Sequence, residues 1–283
     1  VYFAPAMDLD MYKHPSTLDS FHKLKSFGNT IIPAETGELA SGLSGEGRMA
    51  EPENIVSFLE RDLLEKLPLK GKKILITAGP TYEAIDPVRF IGNHSSGKMG
   101  FDIANEAANK GAEVILVTGP THLNVQNSAI KLIRVISAQE MYDACHEFYN
   151  SVDVAIAAAA VADYRPKNVA EQKIKKNEAT FSIELEKTKD ILASLGEQKK
   201  KQFLIGFALE TENEIEHAKQ KIQKKNLDLI VLNSLNDKGA GFGMPTNKVT
   251  FISKDFTIEP KELKSKEEVA QDIINKVIQF YDA

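Results

Sequence analysis

The chain has 283 residues, enough for one large domain or two modest ones, and its 42% hydrophobic and 27% charged content is ordinary for a globular protein. A formal net charge of −5 argues against a generic nucleic-acid binder, and the six histidines lack the paired spacing of a protein-built zinc site. Cys145 is the single cysteine, which excludes disulfides and thiolate metal cages within one chain, and no apolar run approaches the roughly 20 residues that span a bilayer. With no signal peptide and an opening at Val1 in mid-pattern, the expectation is a cytoplasmic protein and a piece of something longer.

Residues 1–66 read as a first block. It holds Pro5, a His14–Pro15 step, a glycine-rich turn region over 37–47 and a helical pattern over 52–66. Its apolar residues lack repeated alternation, which predicts a weak independent core. The stretch LPLKG at 67–71 reads as a linker, leaving 72–283 as a second domain.

From there strands and helices alternate. A strand is predicted over 74–77 and a helix over 98–110, with Met99, Ile103 and Ala107 on one face and a stop at Gly111. Strands follow over 114–118 and 131–136, then a helix over 138–149 that takes Cys145 as a packing residue. Further strands are expected over 153–160 and 203–208, a helix over 212–225 and a strand over 227–232. A short antiparallel pair, 248–252 with 256–258, and an amphipathic helix over 266–281 close the chain. This order predicts an α/β fold: a Rossmann-like, doubly wound, mostly parallel sheet with helices on both faces and a short antiparallel extension. Ligands of such sheets bind beyond the carboxyl ends of the strands near a topological switch point, where the loops at Gly79, Ala160 and Ala208 would converge.

Several segments carry chemistry. The stretch 79–100, GPTYEAIDPVRFIGNHSSGKMG, joins an apolar strand to a helix through a polar, glycine-rich loop. Free N–H groups and the positive end of the helix make an anion site there, to which Ser95, Ser96 and Lys98 add donors and charge. The run AAAAVADYRP at 157–166 leaves the backbone open to a flat base or an extended ligand; tight helix–sheet packing is the other reading, and Asp163 with Arg165 favours the ligand. Lys173, in the polar segment EQKIKK, can reach over phosphates and neutralise charge that grows during their transfer. His217, Lys221 and Lys225 form one helical stripe, either a polyphosphate grip or a solvated face, and Phe207 is either core or a base-stacking ring. The loop after the first strand of the second domain has no G-x-G-x-x-G, and Ser96-Gly97-Lys98-Met99 is not a Walker A motif.

Together, GPTYEAIDPVRFIGNHSSGKMG, AAAAVADYRP, EQKIKK, GFALET and KKNLDLIVLN resemble the phosphopantothenoylcysteine synthetase (phosphopantothenate–cysteine ligase) family from about Lys72 to the C-terminus. In bacteria that domain commonly follows a flavin-dependent phosphopantothenoylcysteine decarboxylase in one bifunctional protein of coenzyme A synthesis. Residues 1–66 resemble the tail of that decarboxylase, through PAMDLDM at 5–11 and GELASGLSGEGRM at 37–49. Two departures stand out: the family pattern has Asn where this chain has Asp8 and Cys where it has Ser41. An aspartate repels a substrate carboxylate unless protonated, and Ser41 is a poorer acid than a thiol. The family's flavin-binding front half with its catalytic histidine has no counterpart in these residues. Decarboxylation is therefore not expected of this segment alone, and FMN is expected only for that other half.

The resemblance implies that CTP, with Mg²⁺, activates 4′-phosphopantothenate as an acyl-cytidylate that L-cysteine then captures, releasing CMP. Carried over by position, Lys173 supports formation of the acyl-cytidylate and Asn93 orients it. Asp163 contacts the nucleotide or its metal. Ala157, Ala158 and Ala159 line the cytidine, and Leu204, Ile205, Gly206 and Phe207 complete the base pocket. Lys221 and Lys225 meet the triphosphate, and Ser95, Ser96 and Gly97 hold anionic groups. The family is dimeric through this domain, so a homodimer is expected, with no nucleic-acid or membrane partner. An NAD(P)-dependent oxidoreductase with a degenerate fingerprint and a non-catalytic nucleotide-binding module remain as alternatives.

Overall fold

The computed structural model of the protein describes residues 1–175, 181–210, 212–234, 244 and 246–282. The chain divides into two compact units, Val1–Leu67 and Pro68–Ala283.

In the smaller unit the elements run β1 (Tyr2–Phe3), α1 (Leu9–Lys13), α2 (Pro15–Ser26), β2 (Thr30–Ile31), β3 (Glu35–Glu38), β4 (Ser44–Arg48) and α3 (Pro52–Glu65). Pro15 and Pro52 sit in the first turns of their helices, where a missing N–H costs nothing. Asp8 caps α1, its Oδ1 accepting from the Leu9 N–H at 2.7 Å. No residue of the three helices is fully buried, and the unit's buried apolar side chains are Ile32, Leu39 and Ala50. That is the weak core its sequence predicts.

The larger unit runs β5 (Lys73–Ala78), β6 (Tyr82–Ala84), β7 (Phe90–Gly92), α4 (Lys98–Asn109), β8 (Glu113–Thr118), β9 (Ile130–Arg134), α5 (Ala138–Tyr149), β10 (Val154–Ala157), β11 (Tyr164–Pro166) and β12 (Leu185–Lys187). It continues with α6 (Ile191–Gln198), β13 (Phe203–Glu210), α7 (Glu214–Lys224), β14 (Leu229–Ser234), β15 (Thr246–Asn247), β16 (Val249–Ser253), β17 (Ile258–Pro260), β18 (Lys264–Ser265) and α8 (Lys266–Asp282). An eight-stranded sheet has the order β17-β16-β14-β13-β10-β5-β8-β9. The six strands from β14 to β9 are parallel, and β16 and β17 extend the β14 edge antiparallel. The chain winds outward through β5, β8 and β9, then returns to lay β10 on the other side of β5. The switch point therefore lies between β5 and β10.

Alternation along the strands sends side chains to two cores. Ile74, Ile76, Val154, Ile156 and Ile205 pack on the face covered by α4 and α8. Leu75, Ala155, Leu204 and Ile230 pack on the face covered by α5, α6 and α7. With helices on both sides, strands such as KILITA are buried without a break after Lys73, as a doubly covered parallel sheet requires.

The structure departs from the sequence reading in three places. Residues 67–71 are not a free spacer: Leu69 is fully buried in the larger unit and its N–H donates to the Lys110 carbonyl at 2.9 Å. Strand β10 stops at Ala157, so 158–160 is loop. Helix α6 and three short antiparallel pairs, β6–β7, β11–β12 and β15–β18, escape the sequence pattern. Among the described residues no helix is long and apolar enough to cross a membrane.

Candidate functional site

A cavity of about 760 Å³ opens at the carboxyl ends of the parallel strands. The loops after β5 and β10 meet there, as the strand order dictates. Gly79 and Pro80, after β5, and Ala159 and Ala160, after β10, are stitched together: the Ala160 N–H donates to the Gly79 carbonyl at 2.9 Å and the Ala159 N–H to Thr77 Oγ1 at 3.1 Å. Thr81, fully buried, accepts from the Ala162 N–H at 2.9 Å. Asn93 crosses the same seam, its Nδ2 donating to the carbonyls of Ala160 (3.1 Å) and Val161 (3.0 Å).

Helix α4 starts at the cavity. Its N-cap, Gly97, has φ +82° and lies against Gly79, where a Cβ would come within 3.3 Å of the Gly79 nitrogen. Glycine alone adopts that conformation readily and permits that approach. Gly97 has no side chain to cap the helix; Ser96 Oγ accepts from the Lys98 N–H at 3.4 Å, and the other N–H groups of the first turn have no intrahelical partner. Ser95, Ser96, Gly97 and Lys98 all line it.

The alanine run is the floor. Ala157, Ala158, Ala159 and Ala160 line the cavity, followed by Asp163. Asp163 is held through its main chain, its carbonyl accepting from the Thr188 N–H at 3.0 Å. Arg165 goes elsewhere, to Glu186 at 2.7 Å on the facing strand β12. The predicted Asp–Arg pair of ligand contacts thus reduces to Asp163. The wall expected from 204–207 also narrows: Leu204 and Ile205 are fully buried on opposite faces of the sheet, and a Cβ on Gly206 would meet Leu192. Phe207 does reach the cavity, with Ala208 and Leu209 after it.

Of the lysine stripe, Lys225 alone lines the cavity. Lys221 is engaged with Glu210 at the end of β13, and His217 Nδ1 lies 3.6 Å from the same carboxylate. Lys225 pairs with Asp190 at 2.8 Å. Burial opposes ionisation of Asp190, but the Lys225 ammonium and the Ala193 N–H prevail and hold its carboxyl below the usual range. Lys173 is exposed and does not line the cavity. Its neighbour Ile174 is moored, donating its N–H to Asp86 Oδ2 at 3.1 Å while its carbonyl accepts from Arg89 at 3.1 Å. Lys176, the last lysine of EQKIKK, lies outside the described residues.

Sequence reasoning missed a third wall. Thr188, Lys189, Asp190, Ile191 and Leu192, at the start of α6, line the cavity, as do Asn233, Asn247 and Lys266 from the far end of the unit. The signal for the first group was present: an aspartate ahead of an apolar run, Asp190-Ile191-Leu192, is a helix start, and Asp190 Oδ1 does accept from the Ala193 N–H at 2.9 Å.

No group of three or more His, Cys, Asp or Glu among the described residues could cage a metal ion. Two carboxylates of the described residues line the cavity, and with Asp190 paired to Lys225, Asp163 suits a magnesium ion carried largely by a nucleotide's own phosphates.

A profile of the DNA/pantothenate metabolism flavoprotein C-terminal domain matches residues 69–281, and a flavoprotein profile matches 1–64. A protein named cysteine/cysteine sulfinic acid decarboxylase, from an unknown prokaryotic organism, is 53% identical over 98% of this chain and 79% of its own length. The coenzyme A biosynthesis bifunctional protein CoaBC of Bacillus subtilis is 44% identical over 98% of this chain and 69% of its own. The crystal structure of the C-terminal domain of a CoaBC protein superposes with a TM-score of 0.66 at 47% identity, covering 77% of this chain and 99% of that one. The chain therefore belongs to the DNA/pantothenate metabolism flavoprotein family and is a homologue of the bifunctional coenzyme A biosynthesis proteins.

Proposed function

We propose that the larger unit is a CTP-dependent phosphopantothenate–cysteine ligase, acting in the cytoplasm as a homodimer. One observation supports this above others: at the β5–β10 switch point a single cavity joins the N-terminus of α4, an alanine floor and the Lys225 ammonium. Such a site accepts a flat base on bare backbone and anionic groups beside it.

The reaction has two steps. The carboxylate of 4′-phosphopantothenate attacks the α-phosphorus of CTP, forming an acyl-cytidylate and expelling pyrophosphate. The amine of L-cysteine then attacks the acyl carbon, forming the amide and expelling CMP. Activation replaces hydroxide, a poor leaving group, with CMP. The chain's residues place the reactants and neutralise charge. Ala157, Ala158, Ala159 and Phe207 bound the base, and Ser95, Ser96 and Gly97 receive anionic oxygens. Lys225 meets the nucleotide's phosphates, which Lys221 joins when its Glu210 pair opens. Magnesium, held by those phosphates and Asp163, would neutralise charge between them. Lys173 serves the first step from its moored segment. Asn93 orients the acyl-cytidylate from the seam where its amide is fixed.

The test is to incubate the chain with phosphopantothenate, cysteine, Mg²⁺ and each nucleoside triphosphate, and to identify products by mass. Phosphopantothenoylcysteine, CMP and pyrophosphate in equal amounts are expected with CTP. Lys173→Gln should abolish CMP release with an unchanged melting curve. Asn93→Asp, which sets a carboxylate against two carbonyl oxygens, should slow the second step more than the first. No product with any triphosphate, or full turnover in both variants, would overturn this reading.

A further inference from the structure

Lys266 is the first residue of α8, lines the cavity, and is only 7% exposed. Among the described residues its side chain makes no hydrogen bond and no ion pair. Its position is fixed all the same. Ser265 and Glu268 form a reciprocal cap, with the Ser265 N–H donating to Glu268 Oε2 at 2.9 Å and the Glu268 N–H to Ser265 Oγ at 3.2 Å. The nearby carboxylates already face another cation: Lys98 Nζ donates to Glu267 at 2.7 Å and to Asp102 Oδ1 at 3.0 Å, while the buried Asp102 Oδ2 has no hydrogen-bond partner. Burial pushes the Lys266 ammonium down; Asp102 pulls it partly back and Lys98 pushes it further. A cation withdrawn from water without a direct partner is costly, unless something that enters the cavity supplies the anion.

The surroundings say what that is. Across the same cavity lie the start of α4 with Ser95, Ser96 and Gly97, and Lys98 as a second cation. Helices α4 and α8 share one face of the sheet, whereas Lys225 and α7 belong to the other. The cavity thus has a cationic pole on each face, and the proposed nucleotide contacts at Lys225 account for one.

We infer that Lys266 and the N-terminus of α4 form a phosphate-binding subsite on the α4–α8 face of the cavity. It takes a phosphate group as a dianion. On the ligase reading, on which the identity of the group rests, that is the phosphate ester of the acid substrate or the outer phosphates of the nucleotide.

The test uses the full chain with Lys266→Met, which keeps the stem and removes the charge, and Lys266→Gln, which keeps a polar tip. Without ligand, Lys266→Met should melt at or above the wild-type temperature, because a buried unpaired cation is gone; a merely structural lysine would give the opposite. Calorimetric titration with inorganic phosphate and with pyrophosphate should show binding to the wild type that weakens about tenfold or more in both variants. These readouts need no turnover, so they stand if the ligase reading falls. In the CMP-release assay, a KM raised about tenfold for phosphopantothenate alone assigns the ester, and one raised for CTP alone assigns the nucleotide. Wild-type protein that binds neither anion, or variants that bind both as the wild type does, would overturn the subsite.

Discussion

The buried carboxylate of Asp86 accepts from the N–H groups of Val88 (2.8 Å), Arg89 (2.8 Å) and Ile174 (3.1 Å), so one side chain ties the turn after β6 to the segment carrying Lys173. Burial works against its charge, but the three backbone donors and the Arg89 guanidinium, 3.6 Å away, prevail and hold the carboxyl below its ordinary range. A lowered value in the folded state gives stability that is complete above the unfolded value, about 3.9, and is lost as pH falls through the folded one. Asp86→Asn turns an amide N–H toward donors. Its melting temperature should fall below wild type at pH 7, and the gap should close as pH drops from 5 toward 2. A gap that stays constant across that range would refute the charge argument. With the Lys173 segment unmoored, kcat for CMP release should also fall, by up to about 100-fold for a displacement near 1 Å. None of this was legible in the sequence. Asp86 and Ile174 are 88 residues apart, and an Asp-Pro step reads as a turn whatever its carboxylate does.

Elements with long, regular periodicity were legible, and short ones set by distant contacts were not. Helix α5 was readable because Met141, Cys145 and Tyr149 repeat every four residues behind a Ser137 cap. Helix α6 has only eight residues, and its position depends on a partner elsewhere in the chain. Gly196 lies so close to the end of α7 that an added Cβ would come within 2.0 Å of the Lys225 carbonyl oxygen, and Asn226 Nδ2 donates to the Gly196 carbonyl at 3.1 Å. That contact positions Lys225 opposite Asp190 across the cavity wall. Gly196→Ala must move one helix, and overpacking of this kind costs about 1–3 kcal/mol. A urea melt should show that loss, with Lys225-dependent CTP binding weakened in parallel. An unchanged midpoint would mean the helices can part freely here. The site was partly legible for the same reason: motifs on strand exits, at 79–100 and 157–163, fall where the topology collects them, whereas Lys266 lies in an amphipathic helix whose pattern says only that it folds.

At the scale of the whole molecule, the larger unit has two cores and a cavity, while the smaller unit's buried apolar side chains are Ile32, Leu39 and Ala50. The expected fold class holds, because uninterrupted apolar strands alternating with amphipathic helices leave few other packings. In the smaller unit Asp8 is committed to capping α1, and Ser41 stands in an exposed turn. Neither offers the carboxamide and thiol of the decarboxylase pattern. The purified chain, supplied with FMN, should therefore release no CO2 from phosphopantothenoylcysteine, and release at a steady rate would contradict that reading.

The sealed interior of α5 has a practical corollary. Cys145 is wholly enclosed and its thiol is pushed up to about 12 by burial, so at neutral pH it presents almost no thiolate. With a single cysteine in the sequence, the native chain should be silent toward thiol dyes. Free L-cysteine in a reaction mixture can then be counted directly, without background from the enzyme, and any dye uptake by the protein itself becomes a clock for its unfolding.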